Sequence, residues 1–262
     1  MIKDLVLGLG EIGNPLLKLL SKKQLVVGYD INPNLMNIQK FNKFKNAPTN
    51  FLHVCIPFSQ SFEKTILEAA KKFHPKGIVI HSTIKPRTTE KLQKKLPIPI
   101  IYSAIRGVHK RMLNDLKKYI KFYALEKDAP REKWASKTYS DLMRKCGVKT
   151  KKMSNPLTLE LAKIVVDTSY YGWLINYAQL SNLIAKKHGI NYDEMWSFAD
   201  EIQTYLGNRP KMFPGYIGGH CIIPNLDLID ENSLAMVKKI NDLYLKKVKN
   251  TKSIYKKYAK GE

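Results

Sequence analysis

The sequence predicts an α/β domain with a doubly wound parallel sheet, followed by an all-helical domain with a long central helix. Three observations lead there. Short β-branched runs alternate with helical stretches through the first half. A glycine-rich turn separates the first run from the first helix. Near Ser154 the alternation gives way to long helical periodicity. At 262 residues the chain can hold one large domain or two small ones, each with a buried core.

Strands are expected over residues 4–9, 24–29, 51–56, 77–81 and 98–102, with helices between them such as 14–21 and 61–73. A further strand over 119–125 and a helix over 131–146 complete a first domain of residues 1–153. The helical domain, 154–262, opens with a helix over 156–187 that has no internal proline and only Gly172 as a weak point. Asn155-Pro156 suits its entry, since proline fits a first helical turn. Further helices are expected over 191–206 and 232–249.

Hydrophobic residues make up 44% and charged residues 26%, which excludes wholesale disorder. No apolar run is long enough to cross a membrane. The opening apolar stretch runs into a glycine turn and has no small-residue cleavage site, so it reads as a strand and not as a signal peptide. Three scattered cysteines, Cys55, Cys146 and Cys221, make neither a disulfide framework nor a metal-type spacing. A cytoplasmic protein without a metal is expected. Lys and Arg number 45 against 22 Asp and Glu, a net charge of +23. Such a surplus attracts anions, and it equally fits a surface solvated by lysine. Interleaved Tyr and Lys over 238–260 fit nucleic-acid contact and also a fraying amphipathic helix; nucleic acid is not the favoured partner.

The strongest local motif is Gly8-Leu9-Gly10-Glu11-Ile12-Gly13, between the first strand and the first helix. Glycines there permit a tight turn and close approach of backbone to a pyrophosphate, and the helix N-terminus adds N–H donors and a positive dipole. Asp30 follows at the end of the second strand, 20 residues after Gly10 (30 − 10). An acid at that point accepts hydrogen bonds from a ribose and repels a 2′-phosphate, so the Rossmann-like reading favours NAD over NADP.

A second glycine cluster, Phe213-Pro214-Gly215-Tyr216-Ile217-Gly218-Gly219-His220-Cys221, continues into Ile222-Ile223-Pro224-Asn225. A Cys after paired glycines suits a nucleophile on a backbone-accessible loop. The segment resembles the signature loop of the UDP-glucose and UDP-N-acetylmannosamine dehydrogenases, of the form G-x-G-G-[SH]-C-x-x-x-D. In that family the Cys attacks an aldehyde intermediate to give a thioester. Three further stretches are similar to the family's in order: Val54-Cys55-Ile56-Pro57; Ser82-Thr83-Ile84 with Pro86, Thr88 and Thr89; and Leu159-Glu160-Leu161-Ala162-Lys163.

The resemblance implies NAD contacts at Gly8, Gly10, Glu11, Ile12, Gly13, Asp30, Pro57 and Ser82. It implies catalytic roles for Cys221, Lys163, Thr83, Asp167 and Asn225, and a homodimer through the helix over 156–187. Departures accompany it. The family's Ser-Pro-Glu, whose Glu assists thioester hydrolysis, is Ser103-Ala104-Ile105 here. Its Asn after the helix Lys is Asp167, and its Asp after the Cys is Asn225, a reciprocal exchange that keeps one carboxylate and one amide. Family members continue into a UDP-binding α/β domain, whereas this sequence ends after the central helices, as a shortened member would.

Among single residues, His220 matches the family loop and is expected to shape it. Arg106, His109, Lys110 and Arg111 fit a phosphate site or a solvated turn equally. Trp173, Tyr170, Tyr171 and Tyr177 fit core or dimer contacts, with Trp173 and Tyr177 as interface anchors, and His188 and Cys146 are assigned to structure. Two functions follow: an NAD-dependent dehydrogenase acting on an alcohol of a small anionic, sugar-like or phosphorylated substrate, or a redox-silent nucleotide-binding protein.

Overall fold

The computed structural model describes residues 1–219 and 221–248, with the backbone alone for His109. The chain forms two compact units, Met1–Lys163 and a second that begins at Ile164, so the division falls inside the long helical run and not before it.

In the first unit the parallel strands β1 (Lys3–Leu7), β2 (Val26–Tyr29), β3 (Thr49–Val54), β4 (Gly77–Ile80) and β5 (Ile100–Tyr102) lie in the order β2-β1-β3-β4-β5. The order reverses between β1 and β3, which makes the sheet doubly wound and puts the ligand crevice at the strands' carboxyl ends there. The helices of this unit include α1 (Gly13–Leu20), α2 (Ile38–Phe44), α3 (Phe62–Phe73), α4 (Thr88–Gln93), α5 (Met112–Lys118) and α6 (Glu132–Lys145). Strand periodicity builds two apolar layers. Leu5 and Leu7 of β1 enter one and Val6 the other, as expected for a sheet covered on both faces. Phe62, Ile66, Ala69 and Ala70 of α3 bury one stripe in the first layer, and Tyr139 and Leu142 of α6 enter the second.

The strand expected over 119–125 does not extend this sheet. It shortens to β6 (Lys121–Tyr123), which pairs in parallel with β7 (Thr150–Lys152) and meets β5 only through the Tyr102–Ala124 bridge. Thr150-Lys151-Lys152 is too short and polar to carry an alternating signal, so β7 was not legible.

The helix expected over 156–187 is three pieces. α7 (Pro156–Leu161) is capped by the Asn155 side chain, which accepts from the Thr158 N–H, with Pro156 in the first turn as expected. Residues Ala162–Ser169 then form a π-helix, and α8 (Tyr170–Lys187) completes the run. The widened turn buries Ile164, Thr168 and Ser169 and exposes Val165, Val166 and Asp167.

Within the second unit the expected 191–206 helix divides into α9 (Tyr192–Ser197) and α10 (Asp200–Leu206), followed by α11 (Ile223–Leu226) and α12 (Asn232–Lys247). Residue 249 of the last expected helix and the basic tail beyond it lie outside the described residues. Gly172 is a packing site and not a weak point: a Cβ there would meet Val237 at 3.0 Å and Ile222 at 3.1 Å. α8 turns Gly172, Asn176, Gln179 and Asn182 inward and leaves Tyr170, Tyr171, Tyr177 and Ile184 exposed. No helix among the described residues is long and apolar enough to cross a membrane.

Candidate functional site

The glycine turn stands at the carboxyl end of β1, on the sheet's crossover. Gly8 has φ +87°, and its N–H donates to Tyr29 O at 2.9 Å. Gly13 packs so tightly that a Cβ would stand 1.7 Å from Gly8 O, whereas a Cβ on Gly10 would meet nothing within 4 Å. The turn thus closes on itself at Gly13 and faces open space at Gly10. Ile12 is the N-cap of α1, and no side chain caps that helix end. Its N-terminal N–H groups and dipole are the natural donors for an anion. Glu11 is exposed beside it.

Asp30 is fastened to this turn. One carboxylate oxygen accepts the Leu9 N–H at 2.6 Å and the other the Asn32 N–H at 2.8 Å. Neighbouring strand ends carry the other expected cofactor residues. Pro57 is exposed after β3, and the Ser82 hydroxyl, after β4, donates to Ile56 O at 2.5 Å. Thr83 is half-buried next to it. The buried Glu160 of α7 ties this region together, accepting the Thr89 hydroxyl at 2.6 Å, the Thr89 N–H at 3.0 Å and the Arg87 N–H at 2.6 Å. Burial raises the Glu160 carboxyl, against the pull of these donors. Lys163, half-buried, follows three residues later.

In the second unit Cys221 is exposed, while Cys55 and Cys146 of the first are buried. Burial pushes the Cys55 thiol up to about 12, with Lys121 opposing. Asn225 lies on α11 with its N–H donated to Ile222 O at 3.1 Å. Ile222, the residue after Cys221, packs on Gly172 of α8, so the cysteine loop meets that helix there. Tyr216 stands where the resembling loop has its first glycine, a further departure. His220 lies outside the described residues.

Several residues that position the loop were missed from sequence. Gln179 donates to Gly215 O at 2.7 Å and to Asn241 Oδ1 at 2.9 Å. Asn241 in turn accepts the Ile217 N–H at 2.8 Å and donates to Ile217 O at 3.0 Å. Two buried amides thereby hold the loop backbone on both sides of Tyr216. Amides on helices give no local motif; only their spacing on the inward faces of α8 and α12 reports them.

The basic stretch after β5 is partly engaged. Arg106 donates to Ile120 O at 2.8 Å and lies over Tyr119 and Phe122, and Arg111 pairs with Asp115 at 3.1 Å. Lys121 was also missed. It is 5% exposed and donates to Ser103 O at 2.8 Å. Burial brings its amine down to about 7; Cys55 opposes this, and Arg106 and Lys163 add to it.

No protein-family model and no curated protein matches the sequence. The fold is similar to that of a UDP-D-ManNAc dehydrogenase from Pyrococcus horikoshii, with TM-score 0.78 and 20% identity, over 100% of this chain and 72% of that one. It is similar too to the UDP-N-acetyl-mannosamine dehydrogenase Cap5O from Staphylococcus aureus, with TM-score 0.73 and 19% identity, over 97% and 71% of the two chains. A 3-hydroxyisobutyrate dehydrogenase from Mycobacterium tuberculosis gives TM-score 0.68 and 14% identity over 95% and 94%. The chain therefore has the Rossmann-like fold of dehydrogenases, an open parallel sheet followed by helices.

Proposed function

We propose that the chain is an NAD-dependent oxidoreductase of the nucleotide-sugar dehydrogenase type, oxidising an alcohol of a small anionic, sugar-like or phosphorylated substrate. The observation that carries this reading is the turn at Gly10, open at an uncapped helix N-terminus with Asp30 fastened beside it. The residues fit the cofactor. A side chain at position 10 would enter the space a pyrophosphate takes, and the α1 terminus offers donors to it. An ionised carboxylate has about four acceptor positions, so Asp30 can hold Leu9 and Asn32 and still accept a ribose diol.

NAD, when bound, supplies the hydride-accepting chemistry. Gly8, Gly10, Glu11, Ile12, Gly13, Asp30, Pro57 and Ser82 are the residues proposed to hold it. Lys163 polarises the alcohol oxygen, Thr83 and Asp167 hold water, and the Cys221 thiol is the nucleophile toward an aldehyde, with Asn225 as its amide neighbour. The segment where the resembling family carries its hydrolytic Glu has Ile105, packed in the apolar core, so hydrolysis of a thioester on Cys221 is expected to be slow or absent. That same burial favours a second reading, a nucleotide-binding protein without redox turnover. The same reading includes a cytoplasmic location and a homodimer through the exposed aromatic face of α8.

Calorimetry with NAD, followed by NADH absorbance against a panel of UDP-sugars and sugar phosphates, tests the proposal. Binding with turnover supports it, and binding without turnover favours the second reading. Turnover unchanged in Cys221→Ala removes the nucleophile from the scheme.

A further inference from the structure

Parallel strands covered on both faces ordinarily carry apolar side chains throughout, yet three titratable residues cross this sheet. Asp4 on β1, His53 on β3 and His81 just past β4 are 1%, 0% and 2% exposed. Asp4 accepts the Phe51 N–H at 3.0 Å and the Gln24 side-chain amide. His53 Nε2 lies 3.2 Å from Asp4 Oδ2, and His53 Nδ1 lies 3.0 Å from His81 Nε2. His81 Nδ1 lies 3.2 Å from the Ser103 carbonyl oxygen. The line begins near the amino end of β1 and finishes beyond the carboxyl end of β5, on the side where such sheets bind ligands.

The hydrogens along this line follow from its end point. A carbonyl oxygen only accepts, so His81 Nδ1 carries the hydrogen. Burial holds His81 well below the usual histidine range, with Lys121 and His53 adding to the effect, so the ring is neutral and its Nε2 accepts. His53 Nδ1 must then donate. That leaves His53 Nε2 facing a carboxylate oxygen, two acceptors in contact unless one more proton lies between them. Two donors, the Phe51 N–H and the Gln24 amide, already point at the Asp4 carboxyl. A proton therefore lies between Asp4 Oδ2 and His53 Nε2.

A second anchor reaches the same acceptor. Lys121 Nζ donates to Ser103 O at 2.8 Å and to Ala104 O at 3.4 Å. The peptide is gripped on its other sides as well: Ser103 N–H donates to Ile80 O at 2.8 Å, and Ile105 N–H to His81 O at 3.1 Å. His81 also directly precedes Ser82 and Thr83.

We propose that Lys121 and the proton-bearing line Asp4–His53–His81 are positioning residues for the turns 82–83 and 103–105, which they fix through one shared acceptor, the Ser103 carbonyl oxygen. What those turns serve rests on the dehydrogenase reading; the clamp does not. The charged and titratable groups facing Lys121 are Cys55 beyond β3, His81 just past β4, Arg106 in the turn and Lys163 beyond α7, and those facing His53 are Asp4 and His81.

Imidazole ¹⁵N spectra of the full-length labelled protein test this without substrate, with His53→Gln and His81→Gln for assignment. His53 is expected to carry hydrogen on Nδ1, and His81 on Nδ1 alone. A hydrogen absent from His53 Nδ1, or present on His81 Nε2, overturns the proposal. A second measurement stands even if those variants do not fold. The Ala104 and Ile105 amide signals of the wild type should titrate with a midpoint of about 7 and stay flat in Lys121→Met. A titration that persists unchanged in Lys121→Met removes Lys121 from the clamp. Wild-type protein that shows both signatures and binds no NAD supports the clamp and refutes the dehydrogenase reading.

Discussion

Glu160 and Thr89, 71 residues apart, are joined by two hydrogen bonds at a single carboxylate oxygen, 2.6 Å to the hydroxyl and 3.0 Å to the N–H. The other oxygen takes Arg87 N–H, whose residue is held at φ 69° as the N-cap of α4. A left-handed non-glycine residue costs energy, and the buried acid is what fixes it. Two stretches that each look like isolated motifs in the sequence are therefore one assembly, and Lys163 begins one helical turn beyond its anchor.

Glu160→Ala leaves three donors facing a cavity. At ~1–3 kcal/mol for each orphaned buried donor, with partial relaxation, a loss of about 3 kcal/mol is expected. A urea midpoint equal to that of the wild type would contradict the assignment.

Gly10 and Gly13 should answer differently to the same change. Gly13→Ala puts a methyl group 1.7 Å from Gly8 O and is expected to disrupt the turn and lower the melting temperature sharply. Gly10→Ala meets no protein atom within 4 Å, so the fold should hold while NAD affinity falls by at least ~10-fold, about 1.4 kcal/mol. Thermal melts and calorimetry on the pair separate packing from ligand contact.

NAD should bind more tightly than NADP, because the Asp30 carboxylate accepts a ribose diol and repels a phosphate. Asp30→Ala removes that acceptor and the partner of the Leu9 N–H together, and should weaken NAD binding by at least ~1 kcal/mol. Equal NAD and NADP affinities would sink the assignment.

Lys121 makes stability depend on pH. Its folded amine titrates at about 7 against an ordinary 10.5, so between those values the unfolded chain binds more protons and stability rises with pH. Below about 7 both states are protonated and the full penalty is present. Lys121→Met should flatten the profile between these limits and gain most at the acid end. Chemical denaturation at several pH values reads this directly, and an unchanged slope would count against a buried, depressed amine.

A homodimer predicts a mass of about 60 kDa by light scattering, twice the 30.1 kDa chain. Trp173 is 37% exposed and Tyr177 is 65% exposed on α8, so Trp173→Asp with Tyr177→Asp should yield monomer. Wild type at 30.1 kDa, unchanged on dilution, would refute the dimer.

The sheet was legible because its strands are continuous apolar runs between turn residues, and the glycine turn because its function demands small residues at fixed offsets. Asp4 and His53 were not singled out, since a polar residue inside a strand run declares its partners only once the register is known. α8 was half legible. Its aromatics stand out in sequence, yet its own unit is packed with Gly172, Asn176, Gln179 and Asn182, whose inward direction no hydropathy pattern marks. The π-helix at Ala162–Ser169 has no sequence signal at all, although it buries Ile164, Thr168 and Ser169 and leaves Asp167 exposed.

The three thiols differ in a way that has practical use. Cys55 and Cys146 are buried with burial-raised thiols, whereas Cys221 is exposed. A maleimide or fluorine tag added to the unmodified chain should therefore land on Cys221 alone. The natural sequence thus provides a single attachment point for a spectroscopic reporter, on the glycine loop itself.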